Sequence, residues 1–447
     1  MKKLAIILAF MIAISFGNTI YAKELPETVK IGLFYSSTAK ETVDIVCDGE
    51  LKLYDSAIGT MVVLSEDGLM VSDPVIATAK TFSFSVVDRK ISATDSVNTY
   101  ILEGDAYIYA SESFVQVGSK KYRGHIQLKV DKNGKLTVIN EVNLEEYLYG
   151  VLPYEMSTGF PYEALKAQAV CARTYAVNNI GRFKEHGFDL TDNTLSQVYN
   201  GIKGEANDCT NAVNETKGLV VMYGGKIAET FYYASSSGET LDVKDVWGST
   251  TYPYLISVPD TYQSVIYPNG YTWEVAYTQS ELTKLMNDKG FTLGTIKDIT
   301  IDKTTPQGAV TSLTFVGERG SKTYTLGNTR TVLNLKSQVF KISKEYSRNE
   351  YKTYFITSQG VAHSSNQGYV LSSKGIEKSD NQYAISSSGI SKVTPSFSQQ
   401  AVDKYVIYGS GYGHGIGMSQ NGAKGMAKSG FTFDQILTHY FPGCTVE

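Results

Sequence analysis

Apolar positions recur at two spacings along this chain, and the change between them marks its elements. From Val29 to about Tyr122 the chain reads as short strands with turns, at Val29–Tyr35, Val43–Val46, Thr60–Leu64, Phe82–Val87 and Tyr107–Ile108. Turn signals at Asp48-Gly49 and Asp67-Gly68 separate them. Period-two alternation is what half-buried strands require. A hairpin follows, with His125–Val130 and Lys135–Ile139 joined through Lys132-Asn133-Gly134. At Asn143 the period changes. Leu144, Tyr147, Leu148 and Val151 fall at helical spacing. Asn143 is placed to cap, and Glu146 three residues on completes a capping-box pattern. Pro153 and the run Ser157-Thr158-Gly159-Phe160-Pro161 are expected to break this helix. Pro161 is expected early in a second one carrying Ala164, Leu165, Ala167, Gln168, Ala169, Cys171, Ala172, Tyr175, Ala176 and Ile180. So much alanine lets other elements approach closely. Between the two helices stands Glu155, flanked by Tyr154 and Met156, with Phe160 nearby. An acid among apolar side chains at a helix junction is a candidate for a raised pKa.

Beyond Gly201, strands are expected at Gly218–Tyr223 and Ile227–Tyr233, followed by the serine run 235–237. A short helix is expected at Gln279–Lys289 and a hairpin at Thr311–Phe315 and Lys322–Leu326; Arg330–Leu335 and Val339–Ile342 continue the domain. Residues 345–400 are serine-rich and weakly apolar, and read as a loosely ordered insertion or a peripheral hairpin. A strand at Tyr405–Tyr408, a glycine-rich run at Gly409–Gly417, and helices around Gln420–Lys428 and Phe433–Tyr440 close the chain. The expected fold is α+β: a mainly β framework with a central Ala-rich helix, plus an N-terminal β-rich accessory domain. The expected boundaries are a signal peptide at 1–22, the accessory domain at 27–120 and the main domain at 121–447.

Composition changes the picture in three places. With 447 residues the chain can bury a large core; 32 tyrosines and 19% charged residues fit a strand-rich globular protein rather than a disordered one. Lys2 and Lys3, an uncharged stretch Leu4–Phe16 and a small-residue exit near Ala22 form a secretory leader. Its apolar run is short for a spanning helix, so membrane contact is expected only through an uncleaved leader. The net charge of −4 makes nucleic acid a poor partner. The four cysteines, Cys47, Cys171, Cys209 and Cys444, allow three pairings outside the cytoplasm, and their spacing does not choose among them. Cys171, on the Ala-rich helix, reads as small and buried.

Several longer runs carry a family likeness. They are Leu152–Ser157 (LPYEMS), Glu163–Val177 (EALKAQAVCARTYAV), Gln197–Gly201 (QVYNG), Val246–Ser249 (VWGS) and Pro253–Leu255 (PYL). Gly411–Gly430 (GYGHGIGMSQNGAKGMAKSG) and Ile436–Gly443 (ILTHYFPG) complete the series. In this order they resemble the SpoIID/LytB family of bacterial cell-wall proteins, from about Lys121 to the C-terminus. The resemblance implies an exported protein acting on peptidoglycan glycan strands. One branch is understood as a lytic transglycosylase using the Glu at the position of Glu155; another is described as an enhancer of a wall amidase, which makes an amidase a candidate partner. A single acid suffices for the first chemistry, since the C6 hydroxyl of the muramyl ring takes the place of water. No second carboxylate pairs with Glu155 in the sequence, Glu145, Glu146 and Glu163 reading as caps and solvated faces. Groove candidates are Gln168, Arg173, Gln197, Tyr199, Ser236, His414 and Gln420, with His414 set among glycines that let the backbone come close to a ligand. Gln168 and Arg173 point to roughly opposite sides of their helix, so at most one faces Glu155. No cofactor is expected. Some relatives carry zinc-binding cysteines where this chain has Thr191 and Ser196, which are poor zinc ligands, and His186 alone is no site. Tyr233, Ser237 and Asn421 also depart from the family pattern, which marks a divergent member.

Overall fold

The computed structural model describes residues 25–346 and 402–447, apart from gaps at 59–60, 66–67, 73 and 112–113, and between them the strands of three hairpins. The leader lies outside the described residues. Eight helices are described: α1 (Leu144–Glu155), α2 (Tyr162–Asn178), α3 (Asn207–Glu215), α4 (Val243–Trp247), α5 (Gln279–Asp288), α6 (Asn328–Thr331), α7 (Gln420–Lys428) and α8 (Phe433–Tyr440). Strand exceeds helix, and the fold is α+β with a mainly β framework. The chain forms two compact units. The first holds Met1–Tyr233, Tyr252–Ile266 and Ile416–Glu447; the second holds Ala234–Thr251 and Tyr267–Gly415.

In the first unit an 11-stranded sheet runs Leu190–Thr191, Thr28–Phe34, Leu136–Asn143, His125–Val130, Ala106–Ala110, Thr42–Asp55, Ala77–Val87, Lys90–Thr94, Thr99–Leu102, with two short strands at 115–122 beside it. The position expected as a domain boundary, near residue 120, lies within this sheet. Period-two burial holds it together: along Thr42–Asp55 the residues Val43, Ile45, Cys47, Leu51, Leu53 and Asp55 all turn inward. Thr28 pairs with Asn143, so the sheet runs directly into α1. Of α2, Ala164, Ala167, Ala169, Ala172 and Ala176 are all fully buried, and almost every position after Glu163 is shielded. A helix buried on all sides needs small residues wherever a neighbour crosses it. Here those neighbours are α1, α3, α7 and α8.

The helix ends differ from expectation in four ways. Asn143 does cap α1, its side chain accepting from the amides of Glu145 (3.0 Å) and Glu146 (3.4 Å). Glu146 does not reach back; it pairs with Arg123 at 3.5 Å. Pro153 does not break α1 but sits inside it. Only two residues follow it, and the Met156 amide still reaches the Leu152 carbonyl at 2.8 Å, so the lost donor costs little. Pro161 is the residue before α2, its carbonyl accepting from Ala164 and Leu165. Ile180 lies beyond the helix end and is exposed.

In the second unit the strands Thr272–Thr278, Val402–Ser410 and Phe340–Tyr346 form one sheet, and Ile296–Thr304, Val310–Gly317 and Gly320–Thr325 another. Their common core includes Trp273, Leu282, Met286, Leu313, Phe315, Phe340 and Ile407. The indole of Trp273 lies so close to Gly409 that any Cβ there would collide with the ring. The serine-rich insertion contains three hairpins, Thr353–Thr357 with Gly360–Ser364, Tyr369–Ser372 with Gly375–Lys378, and Gln382–Ser386 with Gly389–Val393.

Candidate active site

Glu155 is the last residue of α1 and is half-buried. Three groups hold its carboxyl: the Tyr232 hydroxyl, the Gln420 side chain and the Val198 amide. Burial pushes the carboxyl above its ordinary value, and these three hydrogen bonds oppose the rise without cancelling it. No carboxylate among the described residues contributes to the shift. Two other acids are also raised, chiefly by burial, but their hydrogen-bonding partners lie elsewhere. Asp192 is met by Lys120, and Glu229 accepts from Asn178 (2.6 Å) and Asn179 (3.0 Å).

The site is assembled by a very short parallel pairing. Tyr232 pairs with Met418 and Tyr233 with Ser419, which sets Tyr232 beside the start of α7. Ser419 caps α7 by accepting from the Gly422 amide at 3.1 Å, and Gln420 is the first residue of the helix. At Gly417 the backbone takes a φ of +76°, and a Cβ would strike the Phe231 carbonyl, so only glycine lets the chain enter this pairing. Gln197 sets the direction of the tyrosine. Its Nε2 donates to the Tyr232 oxygen at 3.0 Å, and its Oε1 accepts from the Tyr147 hydroxyl at 3.2 Å. With its oxygen accepting from Gln197, Tyr232 keeps its own proton for Glu155.

The sequence candidates sort into three groups. Gln197 and Gln420 belong to the Glu155 network. Gln168 stands one step behind it, accepting from Gln420 Nε2 at 3.5 Å, with its own buried Nε2 meeting no partner among the described residues. Being fully buried, Gln168 meets the site through Gln420 rather than by its own surface. Arg173 and Tyr199 are built into the core. Arg173 is fully buried, with Nε 2.9 Å and Nη2 2.6 Å from the two Glu145 oxygens and further bonds to the carbonyls of Leu219 and Val213. This corrects the expectation for Glu145, which is no solvated face but a buried ion-pair partner. The Tyr199 hydroxyl donates to Asn140 at 2.9 Å. Ser236 and His414 belong to the second unit. There Ser236 is buried and its Oγ accepts from the Gly238 amide, while the His414 ring lies 5.2 Å from that of Trp247.

Of the residues expected to shield Glu155, only Met156 is fully buried. Tyr154 is 40% exposed and its hydroxyl donates to the Lys203 carbonyl. Phe160 carries the Lys424 ammonium 4.4 Å from its ring centre. Tyr232 escaped the sequence reading, since one tyrosine among 32 carries no signal until its neighbours are known.

The positions flagged for zinc do not fit the metal. The Thr191 amide donates to Ser196 Oγ at 3.1 Å, and Thr191 Oγ1 donates to Asn193 at 3.4 Å, so hydroxyls occupy the place thiolates would need. Among the described residues no group of three or more His, Cys, Asp or Glu is placed to hold a metal ion. The four cysteines are free and buried, and burial raises the thiols of Cys171, Cys209 and Cys444.

A family model for SpoIID, described as stage II sporulation protein, matches residues 132–223. The amidase enhancer of Bacillus subtilis is 30% identical over 312 residues, and the match takes in 67% of this chain but only 40% of that protein. An uncharacterised protein of Brachyspira hyodysenteriae is 27% identical, with 81% of each chain covered. Stage II sporulation protein D of Bacillus subtilis is 26% identical, covering 69% of this chain and 76% of that one.

Proposed function

The chain belongs to the SpoIID/LytB family, and on that footing we propose that it is an exported lytic transglycosylase of peptidoglycan with Glu155 as its single acid and base. The observation that carries this reading is the Glu155 carboxyl, which burial raises above its ordinary value and which three hydrogen-bond donors meet. In the first step the carboxyl gives its proton to the glycosidic oxygen as the bond from the muramyl anomeric carbon breaks. The resulting carboxylate is stabilised by Tyr232, Gln420 and the Val198 amide, whose bonds favour the charged form. The C6 hydroxyl of the same muramyl ring then forms a bond to the anomeric carbon and yields its proton to Glu155, which restores the acid. No water is consumed, and the product ends in a 1,6-anhydromuramyl unit. An acid whose pKa approaches the working pH serves both halves of such a cycle.

Digestion of purified glycan strands, read by mass spectrometry, tests the proposal. The native chain should produce anhydromuramyl ends, and Glu155→Gln should produce none while still binding glycan. Glycan left intact by the native protein would end the enzymatic reading. The match to an amidase enhancer supports a second reading, in which the chain acts on a wall amidase or on the amidase's access to glycan. That reading requires faster peptide release only when an amidase is present, and the same release by Glu155→Gln.

A further inference from the structure

Within the second unit a cavity of about 670 Å³ is lined by Glu274, Tyr408, Lys341, Thr272, Ser410 and Gln307, among others. Its size falls within the range of ligand cavities, about 300 to 1,000 Å³. Three residues of its lining form one row. Tyr408, on the central strand Val402–Ser410, pairs with Glu274 on one side and with Lys341 on the other. Directly opposed residues of antiparallel strands share a face. The adjacent positions Trp273 and Phe340, which point the other way, belong to the core, so the row looks outward. Tyr408 is 46% exposed, and Glu274 and Lys341 are exposed beside it. Two strand spacings of about 4.8 Å set the backbones of acid and base about 10 Å apart, with the tyrosine between them. Neither charge enters an ion pair among the described residues. Four positions along the same strands and the same face, Glu345 and Lys404 meet at 3.0 Å and neutralise each other. At the cavity the opposite charges are kept apart instead. A carboxylate, an amphipathic ring and an ammonium in one row match a ligand with the reverse order of groups: an ammonium, an apolar stretch, a carboxylate. A neutral amino sugar offers neither charge, and a phosphate chain would meet Glu274 as a like charge.

We propose that this row is a binding site for the peptide stem of peptidoglycan, with a free ammonium of the stem on Glu274, a free carboxylate on Lys341 and the apolar part of the peptide across Tyr408. The choice of peptidoglycan rests on the reading that the chain works on that polymer; the zwitterionic chemistry rests on the row itself. A stem that is not cross-linked supplies both groups, the side-chain amine of its diamino acid and its terminal carboxylate. Cross-linking turns the amine into an amide and removes its charge. The site therefore selects stems that are not cross-linked.

The test is isothermal titration calorimetry on the full chain carrying Glu155→Gln, so that glycan is not consumed. The probes are a synthetic stem tetrapeptide with its side-chain amine and terminal carboxylate free, the same peptide with the amine acetylated, the same peptide with the carboxylate amidated, and peptide-free glycan fragments. The free tetrapeptide should bind, and each cap should weaken it about threefold to fivefold, the upper range for one exposed ion pair. Glu274→Gln should erase the penalty of acetylation and keep that of amidation, and Lys341→Gln should do the reverse. A folding defect would not produce this crossed pattern. Tyr408→Ala should weaken all three peptides and leave the glycan fragments unaffected. Melting temperatures of the three variants should stay with the parent, since the side chains removed are exposed. No binding of the free tetrapeptide, equal affinity for its three forms, or variants that keep both penalties would overturn the site. If the native chain makes no anhydromuramyl ends while the crossed pattern holds, the transglycosylase reading goes and the site stands; ends made without the crossed pattern have the opposite consequence.

Discussion

At the residue scale, burial raises the pKa of the Glu155 carboxyl and three donors oppose the rise. Its folded pKa lies above the unfolded carboxyl value of about 4.3, so the folded state keeps the proton longer. That contribution to stability is complete below the unfolded value and is lost as pH rises through the folded one. Glu155→Gln removes the loss. Variant and native chain should therefore melt alike in acid, and the variant should melt higher at neutral pH; calorimetry across that range checks it, and a variant equally destabilised at both ends would contradict it. Tyr232→Phe removes a bond that lowers the Glu155 pKa. The alkaline limb of the pH–rate profile should move upward while folding persists. Arg173 behaves oppositely. Removing it strands the buried Glu145 carboxylate, which costs about 3–5 kcal/mol when one partner of such a pair is lost. Arg173→Ala should lower the melting temperature sharply, whereas a residue serving only to bind glycan would leave it unchanged.

At the element scale the site depends on α7, because Gln420 begins it. The helix lies against the turn Thr261–Val265 at Gly425, and one turn earlier Gly422 faces Tyr440 and Asp260. A Cβ at Gly425 would strike the Tyr262 carbonyl, and one at Gly422 would strike the Tyr440 hydroxyl and the Asp260 carboxylate. Backbone cannot step aside as a side-chain tip can. Gly425→Ala should cost about 1–3 kcal/mol, as overpacking does, and should lower turnover by shifting Gln420. A melt together with a digestion assay reads both, and unchanged turnover would separate α7 from the site. The cap at Asn143 is simpler: Asn143→Ala should cost about 1 kcal/mol with turnover kept. In the serine-rich stretch, Tyr354-Phe355-Ile356-Thr357, Tyr369-Val370-Leu371-Ser372 and Tyr383-Ala384-Ile385-Ser386 repeat one pattern, and each ends at a residue paired with glycine, Thr357 with Gly360, Ser372 with Gly375 and Ser386 with Gly389. Scanned for apolar content alone, the stretch looks weakly ordered; its repeat is what identifies hairpins.

At the scale of the whole molecule, the first unit gathers its parts from three stretches of chain and the second from two. Glu155, Tyr232 and Gln420 come from distant points of the sequence and share one unit. No helix among the described residues is long and apolar enough to cross a membrane. With hydroxyls at Thr191 and Ser196 and no ligand cluster among the described residues, EDTA should leave the melting temperature unchanged. A drop on chelation would show a metal bound elsewhere.

The sequence alone determined the features that local periodicity and short-range chemistry decide. The Asn143 cap, the strand alternation, the alanine-rich α2 and both closing helices could be read because each depends on neighbours a few residues away. It also singled out Glu155, since an acid between apolar residues at a helix junction is a local pattern. Tertiary structure decided what that acid meets. Gln197 aims Tyr232, a two-residue parallel pairing brings Gln420 alongside, and Arg173 is turned from a groove candidate into the buried partner of Glu145. Those outcomes depend on which distant segments share a wall. Burial is a property of that wall, so no reading of residues in order contains it.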